Sequence, residues 1–239
     1  MASSSKDNKS TMRVASIDIG AVNFALCVED VKLEPIQDLK EDILSLKERY
    51  EKDGIPTRKF AKILNKIYKI GTVVALGVFD LTEGGKYDLL DPHTLQNMNK
   101  ILMEHLPVLD ECDIVLIEEQ MKWGMRSRNT SALKLFQHCR SFFIFHYGPE
   151  KLTVEFPAYF KTQILGMPRK WFQRKMTKHY RKKWAEIMAK EIMRMRGDDE
   201  SLAKLENRER KSDDIADAIC QLQAFKIVSL IDEMKLKYV

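Results

Sequence analysis

Four cysteines in 239 residues, Cys27, Cys112, Cys139 and Cys220, are too few and too scattered for a zinc knuckle or a disulfide framework. With no C-x-x-C pair among them, a reducing, intracellular setting is expected. No apolar run approaches the roughly 18 residues a membrane helix needs, so no membrane partner is expected. The opening MASSSKDNKS lacks an apolar h-region, and export by a signal peptide is not expected either. No Pro/Gly-rich linker and no internal repeat divides the chain. Gly84-Gly85-Lys86 lacks the preceding glycine and following Ser/Thr of a Walker A loop, and reads as a hairpin turn. What the chain does carry is 44% apolar and 31% charged residues, the composition of one folded domain rather than of a disordered chain.

Net charge is only +5, but its distribution is uneven. Between Ala158 and Arg196 there are 12 Lys or Arg against 2 acids, a local +10, while the segments before and after are net −2 and −3. That stretch interleaves its basic residues with Trp171, Phe172, Tyr180 and Trp184, a pattern suited to a phosphate backbone with occasional base contacts. A solvated helix whose aromatics face the core is the other reading.

Residues 1–11 read as a disordered tail. Two β runs follow, near 13–18 and 23–29, with the turn marked by Gly20 and Asn23. Residues 31–70 form a charged helical insertion, broken at Asp53-Gly54-Ile55-Pro56. A third hairpin strand over 71–81, a helix from Pro92 to Leu106, a buried strand at 112–120, a helix from Ser131 to Tyr147 and a fifth strand at 152–157 complete a mixed sheet flanked by helices. The 158–196 segment reads as basic and helical, GDDESLAKLENRER as an acidic linker, and the last helix as running from about Ser212 to Lys235. The 131–147 helix is apolar almost all round, which suits a dimer seam or burial within the monomer.

Three acidic sites, far apart in sequence, each adjoin an apolar element. Asp18 ends the first strand, Glu118 and Glu119 end the buried one, and Asp213, Asp214 and Asp217 open the final helix. Asp214 and Asp217 stand i, i+3 and share a helical face. Like charges about 4 Å apart repel by several kcal/mol at protein-like dielectric, so convergence would demand cations, naturally Mg²⁺. Two such ions can activate a water and steady the leaving oxygen of a phosphodiester. Taken singly, Asp213 and Asp214 could cap the helix behind Ser212, and Asp18 could be a turn residue.

As an ordered set, SIDIGAVNFA, LIEEQ, TSALKL and KSDDIADAI resemble the RuvC-type Holliday junction resolvases of the RNase H-like superfamily, closest to the poxvirus, large-DNA-virus and fungal mitochondrial types. The resemblance spans most of residues 12–230 and implies one α/β domain over 12–239 with an RNase H-like mixed five-stranded sheet. It further implies a homodimeric endonuclease that uses two Mg²⁺ per site, with Mn²⁺ able to substitute, and places paired nicks in four-way DNA. Carried onto this sequence, it makes Asp18, Glu118, Asp214 and Asp217 the metal ligands. Adjacent strand residues face opposite sides, so Glu118 and Glu119 cannot both serve. The viral and fungal pattern selects Glu118; the bacterial one would select Glu119. Lys161 matches a lysine placed near the scissile phosphate, where an ammonium offsets charge building in the transition state.

DNA contacts are expected from Lys161, Arg169, Lys170, Arg174, Lys175, Lys178, Arg181 and Lys182. Trp123 either stacks on a base opened at the crossover or fills a core or edge position. Two other functions compete. D-I-G-x-x-N, at Asp18 to Asn23, also resembles the first phosphate loop of actin-like sugar kinases, although no duplicated half accompanies it. A non-catalytic nucleic-acid binder with structural acids is the third reading. A viral source would place the work at a cytoplasmic replication site, and otherwise in mitochondria.

Overall fold

Apolar alternation in the first two β runs builds a sheet with two buried faces. A computed structural model of the chain describes residues 9–85, 91–120, 127–148, 151–171, 174–175, 177–207, 212–234 and 236–238. Its elements are β1 (Thr11–Asp18), β2 (Phe24–Lys32), α1 (Leu33–Asp42), α2 (Leu46–Arg49), α3 (Arg58–Lys69), β3 (Thr72–Phe79), α4 (Pro92–Glu104), α5 (Leu106–Leu109), β4 (Ile114–Glu119), α6 (Ser127–Tyr147) and β5 (Leu152–Pro157). Then follow α7 (Phe160–Gln163), β6 (Lys170–Trp171), β7 (Arg174–Lys175), α8 (Lys178–Arg196), α9 (Asp199–Glu206), α10 (Ser212–Phe225), a π-helical turn (Lys226–Ile231) and β8 (Lys237–Tyr238).

The strands order as β3-β2-β1-β4-β5, with the two-residue β8 added at the edge. β1, β2 and β3 are antiparallel neighbours, and β4 and β5 run parallel to β1. This is the mixed five-stranded sheet flanked by helices that was expected. Side-chain parity sorts its two faces. Val14, Ile114 and Leu116 share a core with α3, α8 and α10, whereas Ala15, Ile17, Val115 and Ile117 share one with α4 and α6.

The insertion between β2 and β3 is α1, α2 and α3. α3 buries Phe60, Ile63, Leu64 and Ile67 at helical spacing, and the Thr57 side chain caps it by accepting from the Phe60 amide. The 50–57 break interrupts the insertion where Gly54 and Pro56 predict it.

Four expectations need correction. The 158–196 stretch is not helical throughout: β6 and β7 form a separate two-stranded pair before α8 begins. The acidic linker contains a helix, α9, because Asp198 caps it by accepting from the Ser201 amide at 3.0 Å. The last helix changes to a π-helical turn at Lys226 and ends at Ile231. The turn after β3 is followed by no partner strand among the described residues, where α4 is the next element, and Lys86 lies outside them. α6, for its part, is two-sided: Leu135, Phe136, Cys139 and Phe143 are buried, while Phe145 is 90% exposed. Of the expected tail, residues 1–8 lie outside the described residues, and Thr11 already belongs to β1.

Candidate active site

Register brings the first two acids together. β1 and β4 pair in parallel with Ile17 opposite Ile117, so Asp18 and Glu118 come level at the strand ends. Parity decides which glutamate is involved. Ser16, two residues before Asp18, donates its hydroxyl to the Ala218 carbonyl of α10 at 2.8 Å, and Leu116, two before Glu118, lies in the core beneath that helix. Glu119 has the opposite parity and belongs to the α6 side.

α10 packs directly on β1, with Ala218 fully buried where its carbonyl meets Ser16. Gln221 donates to the Ser16 hydroxyl at 3.1 Å, a second tie between helix and strand. Ser16 and Gln221 were not picked out from the sequence. Their signal is period: Ser16 is a polar residue at i−2 from Asp18, and Gln221 stands seven residues beyond Asp214 on the same helical face.

Lys161 closes the group. Carried on α7 just after β5, its ammonium lies 2.8 Å from Glu118 Oε1 and 3.2 Å from Asp217 Oδ2. Asp18 is hydrogen-bonded to Glu118. Burial pushes the Asp18 carboxyl well above the ordinary range, and the neighbouring Glu118 charge pushes it further. Burial also works against the Glu118 charge, but the Lys161 ammonium and the bond from Asp18 outweigh it and hold that carboxylate low. Asp217 is raised, chiefly by burial. Desolvation opposes the charge on Lys161, yet Glu118, Asp18 and Asp217 together raise it, and the amine stays an ammonium.

A second ion-paired set adjoins the first. Lys182 of α8 pairs with Asp213, and its Nζ lies 3.3 Å from Asp214 Oδ1. Asp213 is thus an ion-pair partner besides standing in the first turn of α10. Lys182, expected on DNA, is ion-paired with these acids. The other expected contacts divide. Arg169 and Lys170 are exposed, as are Lys178 and Arg181 in the first turn of α8. Of Arg174 and Lys175 only the backbone is described, and Trp123 lies outside the described residues. Trp184 is 7% exposed and packs in the core, so it takes the structural reading.

The donor chemistry fits a hard divalent cation: Asp18, Glu118, Asp214 and Asp217 offer only carboxylate oxygens, and burial works against the charge on Asp18, Glu118 and Asp217. The spacing is a separate matter. Among the described residues no three Asp, Glu, His or Cys side chains are gathered to hold a metal as they stand, and Lys161 and Lys182 are ion-paired with the acids. His138 is no ligand candidate; its Nε2 is engaged by the Leu95 carbonyl and Asn99 Oδ1.

No protein-family model matches the chain. It is 30% identical over 238 residues to "Uncharacterized protein 170L" of invertebrate iridescent virus 6, covering 92% of this chain and 91% of that protein. In structure it is similar to RuvC of Thermus thermophilus, with a TM-score of 0.50, 16% identity, and coverage of 95% of this chain and all of RuvC. The same TM-score and coverage hold for T. thermophilus RuvC in complex with Holliday junction substrate, at 14% identity.

Proposed function

This chain belongs to the family of the iridescent-virus protein 170L and has the RuvC-like fold, and from that premise we propose that it is a structure-specific DNA endonuclease that resolves four-way junctions. The observation that carries the reading is the meeting of Asp18, Glu118 and Asp217 around Lys161, at the strand ends of an RNase H-like sheet. That RuvC has been seen with a Holliday junction supports the choice of substrate.

Asp18, Glu118, Asp214 and Asp217 would hold a pair of Mg²⁺ ions, which supply Lewis acidity for phosphodiester hydrolysis when bound. The protein's own groups do the rest. Lys161 presents a fixed positive charge where phosphate charge builds, and its burial strengthens that interaction. Ser16 and Gln221 hold α10 against β1, so that Asp214 and Asp217 keep their place relative to Asp18. Arg169, Lys170, Lys178 and Arg181 supply exposed positive charge near the site for the DNA backbone. Pairing of nicks needs two copies, and the exposed Phe145 and Ile144 of α6 suit a homodimer seam. The viral relative favours a site of viral DNA replication as the place of work. Among the described residues there is one large sheet with no duplicated half, so the sugar-kinase reading gains no support.

The test uses one synthetic four-way junction in gel-shift and nicking assays with Mg²⁺, alongside light scattering of the free protein. Wild type should cut in symmetry-related pairs and have the mass of two chains. Asp214→Asn should bind the junction and leave it uncut; cutting by that variant overturns the assignment. The ion pairs of Lys161 and Lys182 favour a second reading, a binder whose acids are structural. Tight, salt-sensitive DNA binding without Mg²⁺ uptake in calorimetry would establish it.

A further inference from the structure

The insertion reaches the segment that follows Lys161 through a loop. Its loop, residues 50–57, lies against residues 164–169, the segment that leads from the helix of Lys161 to the basic pair β6–β7. Tyr50 Oη donates to the Ile164 carbonyl at 2.7 Å, and the Arg169 amide donates to the Asp53 carbonyl at 2.7 Å. Gly166 has φ +79, and a Cβ there would come within 2.3 Å of Pro56 Cγ. Only glycine suits that approach.

The loop is itself held rigid. Its ends are drawn together by the Tyr50–Pro56 bridge and by the Thr57 amide on the Arg49 carbonyl at 2.9 Å. Inside it, the Glu51 amide donates to the Ile55 carbonyl at 2.8 Å and the Gly54 amide to the Glu51 carbonyl at 2.9 Å. At its base the buried Arg49 guanidinium forks onto Asp232, at 2.7 and 2.6 Å, where the helix that begins as α10 ends. Phe60 of α3 packs under both Arg49 and Tyr50.

What this loop supports could not hold its own orientation. β6 and β7 pair over two residues each and are not hydrogen-bonded to the main sheet. So short a ribbon is marginal in water and takes its direction from what it adjoins. Among the described residues, the Arg169–Asp53 bond adjoins it, one residue before β6.

We propose that the 50–57 loop is a positioning element for DNA binding, which orients the basic strand pair Lys170–Trp171 and Arg174–Lys175 relative to Lys161, with Tyr50 and Gly166 as its positioning residues. The proposal rests on the endonuclease reading and deepens it, since it gives the insertion a part in substrate affinity rather than in the chemistry.

Three measurements on Tyr50→Phe and Gly166→Ala test it: junction affinity with cleavage kinetics, native-state trypsin nicking after Arg169 and Lys170 read by mass spectrometry, and thermal unfolding. Loss of one well-made hydrogen bond corresponds to about fivefold in an equilibrium. Tyr50→Phe should therefore nick about fivefold faster at these bonds and raise KM about fivefold, with kcat and unfolding temperature near wild type. Gly166→Ala should do the same more strongly; should it fail to fold, Tyr50→Phe decides alone. Wild-type nicking in Tyr50→Phe, or faster nicking with unchanged KM, would overturn the positioning role while leaving the endonuclease reading intact. No junction binding by the wild type would instead overturn the reading beneath it, and the role with it.

Discussion

Ser16 donates its hydroxyl to the Ala218 carbonyl at 2.8 Å, tying the strand that ends in Asp18 to the helix that carries Asp214 and Asp217. Both residues are fully buried, and the hydroxyl also accepts from Gln221 at 3.1 Å. Ser16→Ala leaves the Gln221 amide with a single long contact to the Ile17 carbonyl, 3.4 Å. We expect a loss of about 1–2 kcal/mol in urea unfolding, the cost of stranding buried polar groups. A variant as stable as wild type would show that the bond does not hold the helix in place.

Glu118 and Glu119 differ by one residue and by one face of the sheet. Glu118→Gln should reduce junction cleavage by at least about a hundredfold, as expected when a group acting on the reacting phosphate is neutralised. Glu119→Gln should cut within a few-fold of wild type. Equal loss in both, measured as single-turnover nicking at saturating protein, would contradict the parity argument.

Lys178, Arg181 and Lys182 stand within one turn of each other on α8, yet only Lys182 is paired with Asp213 and Asp214. Removing a lysine that touches phosphate lowers the slope of log affinity against log salt by roughly 0.9. Lys178→Ala and Arg181→Ala should each do so in gel shifts run with EDTA. Lys182→Ala should leave the slope unchanged, and a slope lowered as in the other two would show that it contacts DNA after all.

The most buried charge lies elsewhere, below the sheet. Glu29 is wholly buried and accepts from Arg196 at 2.8 Å, Lys226 at 2.7 Å and Gln223 at 2.9 Å. Burial alone would raise its carboxyl, but the Arg196 and Lys226 charges outweigh this and hold it down at about 2, against an ordinary 4.5. Its folded-state pKa is thus depressed, so the stability it confers is complete above about pH 4.5 and is lost as pH falls toward 2. Glu29→Gln should cost roughly 3–5 kcal/mol at neutral pH, because it removes the buried carboxylate on which Arg196 and Lys226 converge. The gap between the two proteins should then narrow, by on the order of 3 kcal/mol, between pH 6 and 2. Denaturant unfolding across that range checks it, and parallel curves would refute the linkage.

Much of this architecture was legible in advance, because strand and helix periods are local properties of the chain. The five strands, the insertion with its break at Asp53 to Pro56, and the acid-bearing positions all follow from apolar period, turn residues and motif order. The short pair β6–β7 was not legible, since two-residue strands carry too little pattern among twelve basic residues. Nor was α9 seen, hidden in a run of charge that its Asp198 cap turns into helix.

By itself the sequence determined the five main strands and which acids end or open their elements. Only tertiary structure decided that Asp18, Glu118 and Asp217 meet around Lys161, that Lys182 turns to the acids, and that the insertion reaches the basic strand pair. The physical reason is range. Period and capping act over a few residues, whereas strand register, helix docking and the pairing of charges a hundred residues apart are set only when the faces of the sheet are covered.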